Sequence, residues 1–221
     1  MFSPIPAARR LVVLSALLGA LLVPSATASA QTFTPIQPLQ LAQQLIANGG
    51  FEDAASTAWH KAGFATWTTA YHHCGTHSAN LPWGNWGLPP NTSGGAIDQE
   101  ITPPAGTLVD FWLYFSPLAT STQQLDVRAY EPSTGNSTWL AVYANNGNSP
   151  GIPYIAPGAW THISGIDLTP LAGKTISLQF IGRFNPNVNT TNIPPGFYLD
   201  DIAAWTPGLR LTPVPVFPTS C

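Results

Sequence analysis

Aromatic rings set among glycines are the residues of this chain best suited to making a contact that matters. Trp83 and Trp86 stand three apart in Pro82-Trp83-Gly84-Asn85-Trp86-Gly87, where small neighbours leave the indole faces little local cover. A flat ring of that kind stacks on the apolar C–H face of a sugar, provided a few fixed polar groups reach the hydroxyls. Trp59 and Trp67 near Tyr71 form a second aromatic set, while Trp112 and Trp160 read as core. The polar partners would come from two segments, with Gln124, Arg128 and Tyr130 alternating in one and Gln179 and Arg183 in the other. On strands such residues share a face. Either that face holds a ligand or it is simply solvated.

Other chemistries find less support. His72-His73-Cys74-Gly75-Thr76-His77 packs four soft ligands into six residues, but no second ligand pair lies at zinc-finger spacing. Apart from Glu52, Asp53, Asp200 and Asp201, the acids are Asp98, Glu100, Asp110, Asp126, Glu131 and Asp167, one to a segment or nearly so. A glycosidase needs two carboxyls facing one bond, and no pair declares itself. No G-x-S-x-G, H-E-x-x-H or phosphate loop is present. The expectation is a protein that binds rather than one that catalyses.

Composition narrows the partner. The 221 residues carry seven Lys and Arg against ten Asp and Glu. Five scattered cations beyond Arg9 and Arg10 cannot neutralise a run of phosphates, so nucleic acid is not the expected partner. Arg9-Arg10, the apolar run Leu11 to Val23 and the small residues Ser25 to Ala30 have the order of a secretory signal peptide over residues 1–30. The apolar run is short for a membrane span, so a secreted, extracellular protein is expected. In that compartment Cys74 and Cys221 are free to form a disulfide. The alternatives are a free Cys221 or a bond to another molecule.

A polar, proline-punctuated lead-in (31–43) and a Pro-rich tail (207–221) flank a binding domain expected over 44–206. Within it, Ile176, Leu178 and Phe180 alternate with Ser177, Gln179 and Ile181, the period of a half-buried strand. Leu125 and Val127 alternate with Gln124, Asp126 and Arg128. Further strands are expected at Leu45–Glu52, Ala65–Tyr71, His77–Leu81, Ala96–Ile101, Thr107–Phe115, Thr138–Tyr143, Ala159–Ile166 and Phe197–Trp205. Ten short strands with Gly/Pro/Asn-rich turns and no helices predict an all-β fold, a two-sheet antiparallel sandwich or a barrel.

The order of Asn48-Gly-Gly-Phe-Glu52, Gly75-Thr-His-Ser-Ala79, Ile97-Asp-Gln-Glu-Ile101, Leu168-Thr-Pro-Leu-Ala-Gly-Lys174 and Tyr198-Leu-Asp-Asp-Ile202 resembles the jelly-roll carbohydrate-binding modules of the galactose-binding-like superfamily. That resemblance implies a jelly roll, a polysaccharide or oligosaccharide as ligand, and a structural calcium tying the first strand to the last; the few charges of the chain suit a neutral sugar. The matching calcium ligands would be Glu52 and Asp200 or Asp201. The same fold also serves structural and adhesion domains, whose partners would be other cell-surface components.

Overall fold

A computed structural model describes residues 43–82, 94–117, 123–147, 150–184 and 196–206. The strands are β1 (His60–Gly63), β2 (Thr66–Thr68), β3 (Ser78–Leu81), β4 (Gly95–Ile101), β5 (Leu108–Phe115), β6 (Gln123–Glu131), β7 (Asn136–Ala144), β8 (Trp160–Asp167), β9 (Ile176–Phe184) and β10 (Phe197–Trp205). They form two antiparallel five-stranded sheets, β1-β4-β9-β6-β7 and β2-β3-β10-β5-β8. From β3 onward each strand crosses to the other sheet, except that β6 and β7 make a hairpin within the first. That alternation wraps the chain around one core as a jelly roll. A 3-10 turn at Thr169–Leu171 is the helical element of the described residues, started by Pro170.

Alternation decides what fills the core. Ile97, Leu125, Val127, Ile176, Leu178 and Phe180 point inward from the first sheet and are fully buried or nearly so, as are Val109, Phe111, Leu113, Phe197 and Leu199 from the second. Phe111 of β5 meets Phe180 of β9 edge-to-face at 5.2 Å, joining the sheets at their centre. Trp59 closes on Phe180 at 6.2 Å and on Phe51 at 5.6 Å. Among the described residues no helix is long and apolar enough to cross a membrane.

Two expectations need correction. Leu45–Glu52 is not a strand: Asn48 and Phe51 adopt φ of 50° and 60°, which ends any ladder. The segment is a clasp instead. Gln99 exchanges two hydrogen bonds with the Ala47 backbone at 2.8 and 3.0 Å, and Ile202 N–H donates to Gly49 C=O at 3.0 Å. Glycine is needed at position 49 because a Cβ there would lie 1.9 Å from the Ile202 carbonyl oxygen. The tenth strand is β1, which the pattern misses because all four of its residues are exposed at a sheet edge, so no apolar period marks it.

Trp112 and Trp160 are also not core. They stand on the outer face of the second sheet, half-buried. Residues 1–42 and 207–221, and with them the expected signal peptide and Cys221, lie outside the described residues.

Candidate functional site

Register on the first sheet places one side chain from each strand in a single transverse row. His60 pairs with Asp98, Asp98 with Gln179, Gln179 with Arg128 and Arg128 with Trp139. With strands about 4.8 Å apart, four gaps make a row roughly 19 Å long. The row is wired together by side chains. Arg128 Nε donates to Gln179 Oε1, Gln179 Nε2 to Ser177 Oγ at 3.1 Å and Ser177 Oγ to Asp98 Oδ2 at 2.8 Å. His60 Nδ1 lies 3.1 Å from Asp98 Oδ1. Linked hydrogen bonds of this kind hold each group in a set orientation before any ligand arrives.

The row floors an open groove of about 470 Å³, whose lining includes Ala96, Glu100, Arg128, Tyr130, Ser177 and Gln179. Trp139 stands at the β7 end of the row, outside the lining of this groove, and is 49% exposed, one of the few large apolar side chains left in solvent. The Arg183 guanidinium lies over its ring at 4.4 Å, and that of Arg128 at 6.0 Å. Arg183 is anchored in turn by an ion pair with Asp126, which is 1% exposed and also accepts from Gln124 Nε2 at 2.7 Å. Burial lowers the Arg183 pKa. Trp139 itself lines a second hollow of about 410 Å³, together with the following residues of β7 and residues 151–153.

Of the residues singled out by sequence, Arg128, Tyr130, Gln179 and Arg183 therefore share the outer face of the first sheet. Trp67 and Tyr71 lie elsewhere. Trp67 packs its ring on Phe51 at 4.8 Å, with the Lys61 ammonium over it at 4.7 Å. Tyr71 covers the second sheet, stacking on Tyr114 at 5.0 Å and leaning on Tyr198 at 4.9 Å. Beside it Trp112 is held between His73 at 3.8 Å and His162 at 4.9 Å. Trp83 and Trp86 lie outside the described residues. Sequence reading missed Trp139. Its strand is recognisable, but only the register that sets it opposite Arg128 marks it as a site residue.

Where β10 bulges between Asp200 and Ala203, two carboxylates gather under the 73–77 turn. Asp200 is fully buried and accepts from His73 N (2.7 Å), Cys74 N (3.3 Å) and Asp201 N (2.8 Å). Burial, reinforced by the Asp201 charge, raises its pKa to about 7 against those hydrogen bonds. Asp201, at φ 48°, has its Oδ2 2.8 Å from His73 Nδ1. Glu52 faces the same turn from outside. Its slight desolvation is outweighed by hydrogen bonds from His77 N, Thr76 N and the Thr76 hydroxyl, which lower its pKa to about 2.

A hard cation fits this corner in part. Atoms Oδ1 of Asp201 and Asp200 both face the bare Cα of Gly50, where a Cβ would lie 3.3 and 4.0 Å from them. Glu52 is less available, since both its oxygens already accept. His73, Cys74 and Asp201 bring ligand atoms within 4.8 Å of one another, but Cys74 is not a free thiol and the His73 ring is engaged with Asp201.

No protein-family model matches the sequence, and no curated protein matches it. Solved structures similar to it include the carbohydrate-binding module TmCBM61 in complex with beta-1,4-galactotriose. That match has 13% identity and a TM-score of 0.49, and covers 75% of this chain and 99% of the module. The CBM22-2 xylan-binding domain of Xyn10C from Paenibacillus barcinonensis aligns at 16% identity and TM-score 0.47, over 72% of this chain and 98% of that one. The K3 adhesin domain of Lys-gingipain from Porphyromonas gingivalis aligns at 16% and 0.45, over 75% and 98%. Likenesses of this degree leave the ligand to be argued from the chain's own surface.

Proposed function

We propose that this protein is a carbohydrate-binding module that takes a short stretch of polysaccharide or an oligosaccharide along the outer face of its first sheet. The observation that carries this reading is the row His60-Asp98-Gln179-Arg128-Trp139. It sets donors and acceptors in a wired line and ends in an exposed indole. Donors and acceptors in fixed positions suit sugar hydroxyls, and the indole suits a pyranose face. Binding without cleavage is the reading that Asp98 supports, because both its oxygens are engaged by Ser177 and His60. Screening neutral and uronic-acid oligosaccharides by calorimetry tests the proposal. Trp139→Ala should weaken the best ligand by about 2 kcal/mol, as loss of an anchor ring does, with the melting temperature held because the ring is half in solvent. A variant that binds normally would move the site off this face.

Calcium at Asp200 and Asp201, with Glu52 beside them, is a second element of the proposal. It is supported by two carboxylates crowded at one bulge, one of them with its pKa raised. In chelator, native Asp200 holds a proton up to about pH 7, whereas in the unfolded chain, with the ordinary aspartate value of 3.8, it has lost it. Stability should therefore fall as pH rises from about 4 to about 7. Glu52 acts in the opposite sense and at lower pH, its contribution disappearing only as pH drops from about 4.5 towards 2. Calcium should reverse the loss above pH 7, raising the melting temperature by several degrees, and Asp200→Ala should remove that response. Melting curves that ignore both pH in this window and added calcium would refute the metal.

A further inference from the structure

Arg128 is the cation of the groove that no carboxylate neutralises, and resting on the glycan-binding reading we infer that the sugar recognised there carries a carboxylate, a uronic acid. Among the described residues the other cations are accounted for. Arg183 pairs with Asp126, Lys174 with Glu131 at 3.2 Å, and Lys61 sits over Trp67 away from the groove. The contacts of Arg128 are Gln179, through Nε, and the Trp139 ring at 6.0 Å. Its two terminal amino groups are left without a partner among the described residues.

The placement is what a carboxylate site requires. Arg128 is half-buried in the floor of the groove, its Nε is tied to Gln179, and Gln179 is fixed by Ser177 and Asp98. A guanidinium held at Nε presents its outer edge in one orientation, so a bidentate grip on a planar carboxylate needs little ordering. The groove's own acids stand apart from that edge in the register. Asp98 is two strands away across Gln179, engaged by Ser177 and His60. Glu100 is in the next row, opposite Ser177. Asp126 is taken by Arg183. The neutral glycan expected from the low charge of the sequence is thereby replaced by an acidic one, whose charge answers a single fixed cation rather than a basic surface.

Oligomers of galacturonic and of glucuronic acid, each as free acid and as methyl ester, form matched pairs that differ by the carboxylate charge and one methyl group per ring. Calorimetry at low salt should show at least one free acid binding about tenfold more tightly than its ester, the scale of a charge-assisted hydrogen-bonded pair. That preference should shrink as salt is raised. Arg128→Gln should bring the ratio of the two affinities to about one, while Lys61→Gln should leave the ratio in place. Equal or ester-favouring affinities in the unaltered protein, with binding still weakened by Trp139→Ala, would overturn the acidic-sugar inference and leave the groove as a glycan site. Failure of every oligosaccharide of the wider panel to bind would overturn both.

Discussion

Truncating Phe180 to alanine should cost about 4 kcal/mol and lower the melting temperature by roughly 10 °C, the range for emptying a large aromatic site in a domain of this size. Phe180 has no exposed surface and is one of the points at which the two sheets touch, its ring against Phe111 from the other sheet and against Trp59 from the loop before β1. Its neighbours in sequence, Gln179 and Ile181, face the groove. The cavity therefore forms directly beneath the binding row, and glycan affinity should fall along with stability. Urea denaturation measures the first effect, and an unchanged slope with a lowered midpoint identifies it as a loss of native packing. A loss below about 1.5 kcal/mol would mean that the sheets do not meet at this residue.

Arg183→Met is expected to cost about 3 kcal/mol, for a different reason. Asp126 is 1% exposed and depends on the Arg183 guanidinium for its countercharge. Removing one partner of a buried pair leaves the other charge desolvated and uncompensated, whereas replacing both with apolar residues is far milder. The double variant Asp126→Leu, Arg183→Met should accordingly recover much of the stability of the single one. Both variants remove the cation lying on Trp139, so both should bind sugar less well. If the double variant is no more stable than the single, the pair is a surface contact and not a buried one.

These two residues also show what could be read before the fold was seen. The alternation of Ile176, Leu178 and Phe180 with Ser177, Gln179 and Ile181 assigns each side chain to core or surface, because a strand has only two faces. On that basis Arg128, Gln179 and Arg183 were legible as one polar face, and two antiparallel sheets form as short alternating segments broken by turns suggest, while the division into five strands each comes from the fold. Trp139 was not legible, because nothing local places it opposite Arg128. That neighbour relation arises from the β6–β7 register, shifted by a bulge between Val127 and Arg128. The clasp at Leu45–Glu52 was hidden for a related reason. Its apolar residues suggest a strand, but left-handed Asn48 and Phe51 and the close approach of Gly49 to Ile202 depend on a partner 150 residues away. Edge strand β1, all four residues exposed, had no period to detect.

Amide and side-chain NMR shifts during titration with the tightest oligosaccharide of the panel test the central claim most directly. The account predicts that the largest changes trace the transverse row, at the His60 and Asp98 amides, the Gln179 side-chain amide, the Arg128 Nε–H and the Trp139 indole N–H. Resonances of Trp112, Tyr114 and Trp160 on the opposite sheet should stay in place. Changes concentrated on those three residues, with the row silent at saturation, would contradict it.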